Sequence, residues 1–254
     1  MGKKKKSFSK AILFAVILLS VTATLFYYIR LYRPTSFVHY SQFGIDIPVQ
    51  YPIHGIDVSR YQEKISWKDV SAMDVNGIKL GFAFIKATEG TTGIDDQFKK
   101  NWKNIKQTDL RRGAYHYFIA TKSGKAQAIN FIETVALEPG DLPPVLDVEE
   151  AYGATATDIR QRVSDWLFMA ERAYKAKPVI YTNLVFYKTY LDGWFERYPL
   201  WIAHYKEKHG PRIQRNWSFW QHNEGGHVSG INAYVDFNVF NGDSSAFEQL
   251  LIRK

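Results

Sequence analysis

From residue 53 onward, short runs rich in β-branched and aromatic residues alternate with longer stretches whose apolar positions recur at helical spacing. The runs predict strands at 53–58, 81–87, 113–118, 145–148, 178–181, 200–203, 218–221 and 234–238. The stretches between several of them predict helices at 66–75, 95–106, 123–135 and 157–176, with Ser66, Ser123 and Thr157 at their starts and Pro178 closing the last. Eight strands interleaved with helices predict an α/β fold, a single irregular TIM-like β/α barrel over residues 53–254. The irregularity is expected at the end, where the last three strands lie too close together for a full helix between each pair.

The N-terminal pattern is different. Between Lys10 and Arg30 the chain carries no charge, and as a helix this run, 11–29, would be roughly 28 Å long, close to the ~30 Å hydrocarbon core of a bilayer. A cleaved signal peptide is the alternative, since Val21-Thr22-Ala23 offers small residues for cleavage. The run continues through Leu25-Phe26-Tyr27-Tyr28-Ile29, which favours an uncleaved transmembrane signal-anchor. Five lysines precede the run (the basic tail, 1–10) and Arg30 and Arg33 follow it, so the expected orientation has a cytoplasmic N-terminus and an extracytoplasmic domain. Residues 30–52 contain several prolines and no clear period, and are read as a stalk.

Composition changes this picture in two places. The formal net charge of +8 suggests a nucleic-acid partner, but residues 1–33 hold seven basic residues and no acidic one. Removing those seven from the total leaves 26 basic against 25 acidic, so the basic character belongs to the tail and nucleic acid is excluded as a partner. Aromatic residues make up 16% of the chain, more than a core alone requires, and Tyr and Trp suit a groove that stacks on sugar rings. The chain has no cysteine, so neither a disulfide nor a lipidated thiol enters the argument.

The chemistry concentrates where strands end. Within Leu146-Asp147-Val148-Glu149, strand alternation puts Asp147 and Glu149 on one face, with Cα atoms roughly 6.6–7 Å apart. A strand running out into solvent would show the same residues. Carboxyls this close, however, push one pKa up, and a protonated acid beside an ionised partner is the equipment of glycosidic-bond cleavage. Asp57 ends the first strand and Asp236 lies on the last, and these strands are neighbours in a closed barrel, so four carboxylates are expected in one mouth.

Seven segments then carry a family resemblance: HGIDVSRYQ (54–62), FIKATEG (84–90), GAYHYF (113–118), LDVEE (146–150), WIAHY (201–205), WQH (220–222) and VDFNVFNG (235–242). In this order they resemble the signature segments of glycoside hydrolase family 25, the Chalaropsis-type lysozymes or N-acetylmuramidases. The resemblance implies a modified β/α barrel that hydrolyses the β-1,4 bond between N-acetylmuramic acid and N-acetylglucosamine in peptidoglycan. It further implies Glu149 as general acid, Asp147 as its partner, and Asp57 and Asp236 as the remaining acidic residues. It implies retention of configuration, with either a carboxylate or the substrate's own 2-acetamido group as nucleophile; in the second case Asp147 would orient that group.

Tyr61 and Gln221 are the preferred residues for holding sugar hydroxyls or acetamido groups, with Tyr115, Tyr117, Tyr181 and Trp201 as further substrate-binding positions that would serve equally well as core. Lys86 and Glu89 read as a rim ion pair or as part of the acidic network. A metal-dependent hydrolase built on His54, His116 and His204 is disfavoured because no HExxH or HxH spacing occurs, so no metal and no cofactor are expected. The non-enzymatic alternative is a catalytically silent, membrane-tethered, peptidoglycan-binding scaffold. All four carboxylates being present argues for the enzyme, acting on glycan strands as a monomer.

Overall fold

The computed structural model of the protein describes residues 3–31 and 36–253. The chain divides into two units, residues 1–35 and 36–254. The first contains one helix, α1 (Lys3–Leu31). The second contains strands β1 (Phe37–Tyr40), β2 (Ile45–Pro48) and β3 (His54–Val58), helix α2 (Trp67–Ala72), strands β4 (Asp74–Val75), β5 (Ile78–Glu89) and β6 (Gly93–Ile94), and helix α3 (Phe98–Ile105). Next come β7 (Arg111–Tyr117), α4 (Gly124–Thr134), β8 (Val145–Asp147), α5 (Ala156–Tyr174), β9 (Val179–Asn183) and the short α6 (Leu184–Phe186). The domain ends with β10 (Leu200–Ala203), β11 (Phe219–Gly226), β12 (Val235–Phe240) and α7 (Ser244–Leu250).

Eight of these strands close a barrel in the order β3-β12-β11-β10-β9-β8-β7-β5, and pairing of β5 with β3 completes the ring. All neighbours are parallel except at β12, which runs antiparallel to both β11 and β3. This corrects the expected fold class. A TIM barrel has eight parallel strands, whereas this is a closed eight-stranded barrel with a mixed sheet. The reason lies between β11 and β12. Residues 227–234 are too few for a crossover helix, and parallel pairing needs a connection of a dozen residues or more, so the chain turns and β12 comes back antiparallel.

Strand alternation sorts the barrel's apolar residues into two clusters. Phe82, Phe84, Val145, Val179, Trp201, Phe219 and Phe240 pack together in the interior. Ile56, Ile85, Ala114, Leu146, Ile180, Ile202 and Trp220 belong to a larger cluster shared with the surrounding elements. Two glycines make room for the interior rings: a Cβ on Gly55 would stand 2.5 Å from Phe82, and one on Gly113 would stand 2.4 Å from Phe84.

The outside of the barrel is covered unequally. Helices α4 and α5 lie in the β7-to-β8 and β8-to-β9 connections, whereas β11 and β12 have no helix between them. Residues 36–52, where no regular element was expected, contain the antiparallel hairpin β1–β2. Its buried Phe43, Ile45 and Ile47 supply apolar cover that a helix would otherwise give, with Phe43 5.3 Å from Phe237 and Phe37 6.1 Å from Trp220 between ring centroids.

The expected membrane span is also corrected. Among the described residues no helix is long and apolar enough to cross a membrane. In α1 the apolar side chains between Ile12 and Tyr28 are not continuous. Ser20, Thr22 and Thr24 interrupt them with hydroxyls that bond backbone carbonyls one turn earlier. Met1, Gly2, Arg33 and the stalk residues 32–35 lie outside the described residues, as do the side chains of Lys3–Lys6 and Arg30.

Candidate active site

The interior aromatic cluster forms a floor, and above it the inward positions become polar. The mouth encloses a cavity of about 220 Å³ lined by all four candidate carboxylates, Asp57, Asp147, Glu149 and Asp236. Tyr61, Tyr115, Tyr117, Tyr181, Trp201 and Gln221 line the same cavity, so the fold brings every sequence-predicted site residue together. The reversal of β12 is what places Asp236 there. Because that strand starts at the mouth, its second residue stands directly opposite Asp57, near the end of β3.

Asp57 is buried and held by two amides: Gln221 Nε2 donates to its Oδ2 at 2.8 Å and Asn238 Nδ2 at 2.7 Å. Each amide is oriented in turn. Tyr181 and Tyr205 hydroxyls both donate to Gln221 Oε1, at 2.8 and 2.6 Å, which leaves the Gln221 NH2 to face Asp57. Trp201 Nε1 donates to Asn238 Oδ1 at 2.8 Å, with the same result. Burial pushes the Asp57 carboxyl well above the carboxylate range, and the charge of Asp236 adds to this. Asp236 is itself raised to about 6, by burial first and by Glu224 second. The Asp57–Asp236 pair therefore holds on to a proton to higher pH than an exposed pair would.

Asp147 closes β8, in register with Tyr117 on one side and Tyr181 on the other. Its Oδ1 is buried without a hydrogen-bond partner, which is rare for a carboxylate, and the residue lines the cavity. Burial raises Asp147 strongly, reinforced by Glu149, while Lys86 acts in the opposite direction. Burial also raises Glu149, reinforced by Glu150, with Asn183 and Lys86 opposing. The two carboxyls thus behave as a coupled pair that holds on to a proton where an exposed pair would have lost both.

The tyrosines differ in their circumstances. Tyr61 is 71% exposed, presented by a 3-10 turn (Arg60–Gln62) that Ser59 and Gln62 close with reciprocal capping bonds. Gln62 Nε2 also donates to the Tyr234 carbonyl at 2.9 Å, tying this rim to the chain entering β12. Elsewhere on the rim the hydroxyls of Tyr117 and Tyr152 meet at 3.1 Å. Tyr181 and Trp201 line the cavity while their polar atoms support Gln221 and Asn238.

Sequence reasoning missed Asn238 and Tyr152 as parts of this arrangement. Asn238 had a signal, since it alternates with Asp236 and so shares its face. The three histidines of the metal reading do not converge. His116 is buried between Thr88 Oγ1 (2.7 Å) and Gln127 Oε1 (3.3 Å), His54 is buried beside the Tyr51 backbone, and His204 lies beside Glu207.

Residues 56–231 match the family model described as glycosyl hydrolases family 25. The Escherichia coli K12 protein YegX is 48% identical over 223 residues, covering 85% of this chain and 82% of its own. Lysozyme M1 of Streptomyces globisporus is 34% identical, covering 76% and 69% respectively. Among solved structures, a family 25 glycosyl hydrolase from Bacillus anthracis superposes with a TM-score of 0.73 at 35% identity, over 79% of this chain and 94% of that one. A bacterial lysozyme from Streptomyces coelicolor gives 0.71 at 33%, over 78% and 96%. With the matched segments running from the first barrel strand to the approach of the last, the chain is a glycoside hydrolase and belongs to glycosyl hydrolases family 25.

Proposed function

We propose that the protein is a peptidoglycan hydrolase of the muramidase type, cleaving the β-1,4 bond between N-acetylmuramic acid and N-acetylglucosamine. The observation that carries the mechanism is the buried, unpartnered Oδ1 of Asp147 beside the proton-retaining Glu149. An N-acetylated sugar in the cavity offers an amide N–H that satisfies Oδ1. The N–H bond turns the acetamido carbonyl oxygen toward the anomeric carbon. Glu149 donates its proton to the leaving oxygen as the glycosidic bond breaks and the acetamido oxygen bonds to C1, and the Asp147 charge stabilises the resulting oxazolinium. Water then attacks C1 and breaks its bond to the acetamido oxygen, which restores the acetamido group, while the water proton passes to Glu149, restoring the acid and giving net retention. Asp57, fixed by Gln221 and Asn238, and Asp236 complete the polar wall that holds the sugar. Tyr61 and the Tyr117–Tyr152 pair are the stacking surfaces on the rim. The polymer lies outside the cytoplasmic membrane, and the barrel is proposed to act there.

Names of relatives support the same substrate, two of them being lysozymes. The test is mass spectrometry of fragments released from purified peptidoglycan. Wild-type protein is expected to release fragments ending in reducing N-acetylmuramic acid, and Glu149→Gln to lower release at least 100-fold with the fold intact. De-N-acetylated strands are expected to be poor substrates. Their full cleavage would replace the acetamido nucleophile by a protein carboxylate, and an active, folded Glu149→Gln variant would remove the acid from Glu149.

A further inference from the structure

Strand β5 sends Phe82 and Phe84 into the barrel interior, and alternation carries Lys86 to the next inward position, in the mouth. It is the one cationic side chain among the described residues lining a cavity that holds four carboxylates. An ammonium in such a place would be expected to fall into direct contact with an acid of the site. Instead Lys86 Nζ donates to Glu89 Oε2 at 2.6 Å and sits 4.6 Å from the ring centroid of Tyr117. The Lys86 side chain is 14% exposed and that of Glu89 45%, so the cation is inside and its anchor is at the rim. Tyr117 is in register with Asp147 on the adjacent strand, which places the anchored charge beside the Asp147–Glu149 pair without bonding to either.

Resting on the reading of Asp147 and Glu149 as the working pair, we infer that Lys86 is a positioning residue for catalysis: its ammonium, moored by Glu89 and the Tyr117 face, stabilises the state in which these two carboxyls share one proton. Two protons would leave Asp147 without the charge that meets the oxazolinium. No proton would leave Glu149 with nothing to donate. Burial and neighbouring carboxylates favour proton uptake, and the charge of Lys86 opposes it at both residues. The other groups facing the pair are Asp57 from β3, Glu89 from β5, Tyr115 and Tyr117 from β7, Glu150 from the loop after β8, Asn183 and Tyr181 from β9, and Asp236 from β12. Apart from Glu89 in its own variant, all of them are kept in the variants below.

A merely structural ion pair and an electrostatic one are separated by sign. Lys86→Met and Glu89→Gln break the same bond. If the bond only supports the rim, both variants lose activity with unchanged pH limits. If the charge acts on the pair, removing the cation makes both protonation steps occur at higher pH, and removing the Glu89 anion makes them occur at lower pH. The experiment is the pH profile of kcat/KM on peptidoglycan for the full chain, with circular dichroism of each variant and Glu149→Gln alongside. Both limbs of the Lys86→Met profile are expected to move up by roughly one pH unit or more, with at least a tenfold loss at the wild-type optimum, and both limbs of Glu89→Gln to move down by a smaller step. Lys86→Arg, which keeps the charge, is expected to keep the wild-type limbs. Unmoved limbs in Lys86→Met, or shifts of the same sign in both variants, overturn the inference while leaving the Glu149 assignment standing. Activity in Glu149→Gln overturns the assignment beneath it. If Lys86→Met fails to fold, the downward shift in Glu89→Gln, at a half-exposed rim position, decides alone: its absence refutes the charge effect.

Discussion

At the scale of single residues, the site is a set of carboxyls whose different environments give them different proton affinities. Asp57 shows how much of that depends on neutral neighbours. Its Oδ2 takes two amide donors, and each amide is locked by aromatic donors behind it. Asn238→Ala removes one donor and leaves the buried Trp201 Nε1 without an acceptor. The expected result is a loss of about 1–3 kcal/mol in stability, measured by urea denaturation, together with a further rise in the Asp57 pKa and a fall in kcat/KM. A variant as stable as wild type would show that Trp201 finds another acceptor. The acids themselves were legible in the sequence because a charge at a buried strand end is conspicuous. Asn238 was less conspicuous, because an amide is ordinary in a strand and its importance arises from what it faces across the barrel.

At the scale of elements, the eight strands were legible from alternating apolar runs, but their directions were not. A period of two reads the same from either end, so the pattern that located β12 carried no information on its polarity. What determines it is the length of the connection before it. The same short connection leaves the outer face of β11 and β12 without a helix between them, and the hairpin β1–β2 supplies the cover. That hairpin escaped notice because its prolines and short strands masked the alternation Phe43-Ile45-Ile47. If it is part of the barrel's core, truncating its central ring should cost as much as truncating a barrel residue. Phe43→Ala, at a fully buried site packed on Phe237, is expected to lose about 3–5 kcal/mol in chemical denaturation. A loss under 1 kcal/mol would make the hairpin a loosely held attachment.

At the scale of the whole molecule, two sets of buried titratable groups pull stability in opposite directions with pH. His54 and His222 are buried, and burial lowers them to about 4 and about 3, the Tyr51 backbone opposing this at His54. A histidine depressed in the folded state takes up its proton more readily when unfolded. Its contribution is therefore fully present above about 6.5 and falls away as pH drops toward about 4, by roughly 2–3 kcal/mol for each at pH 4.5. The acids of the mouth behave in the opposite sense. Asp236, raised to about 6, contributes stability below the unfolded value of about 4 and loses it as pH rises through 6, a cost of about 3 kcal/mol at pH 7. Folding and catalysis thus make conflicting demands in the neutral range: the charges the mouth needs are those that weaken the barrel. Denaturation from pH 4 to pH 8 is expected to show stability rising toward about pH 6.5 as the histidines regain their contribution, with the Asp236 loss between pH 4 and 6 flattening that rise. Asp236→Asn should gain stability above pH 6 at the expense of activity, making the rise steeper. His222→Phe, in a pocket shared with Trp220 and Phe237, should flatten the acid side and leave the neutral side unchanged. Parallel curves for all three proteins would mean that the pH dependence arises elsewhere, and that the mouth carries its charges without cost to the fold.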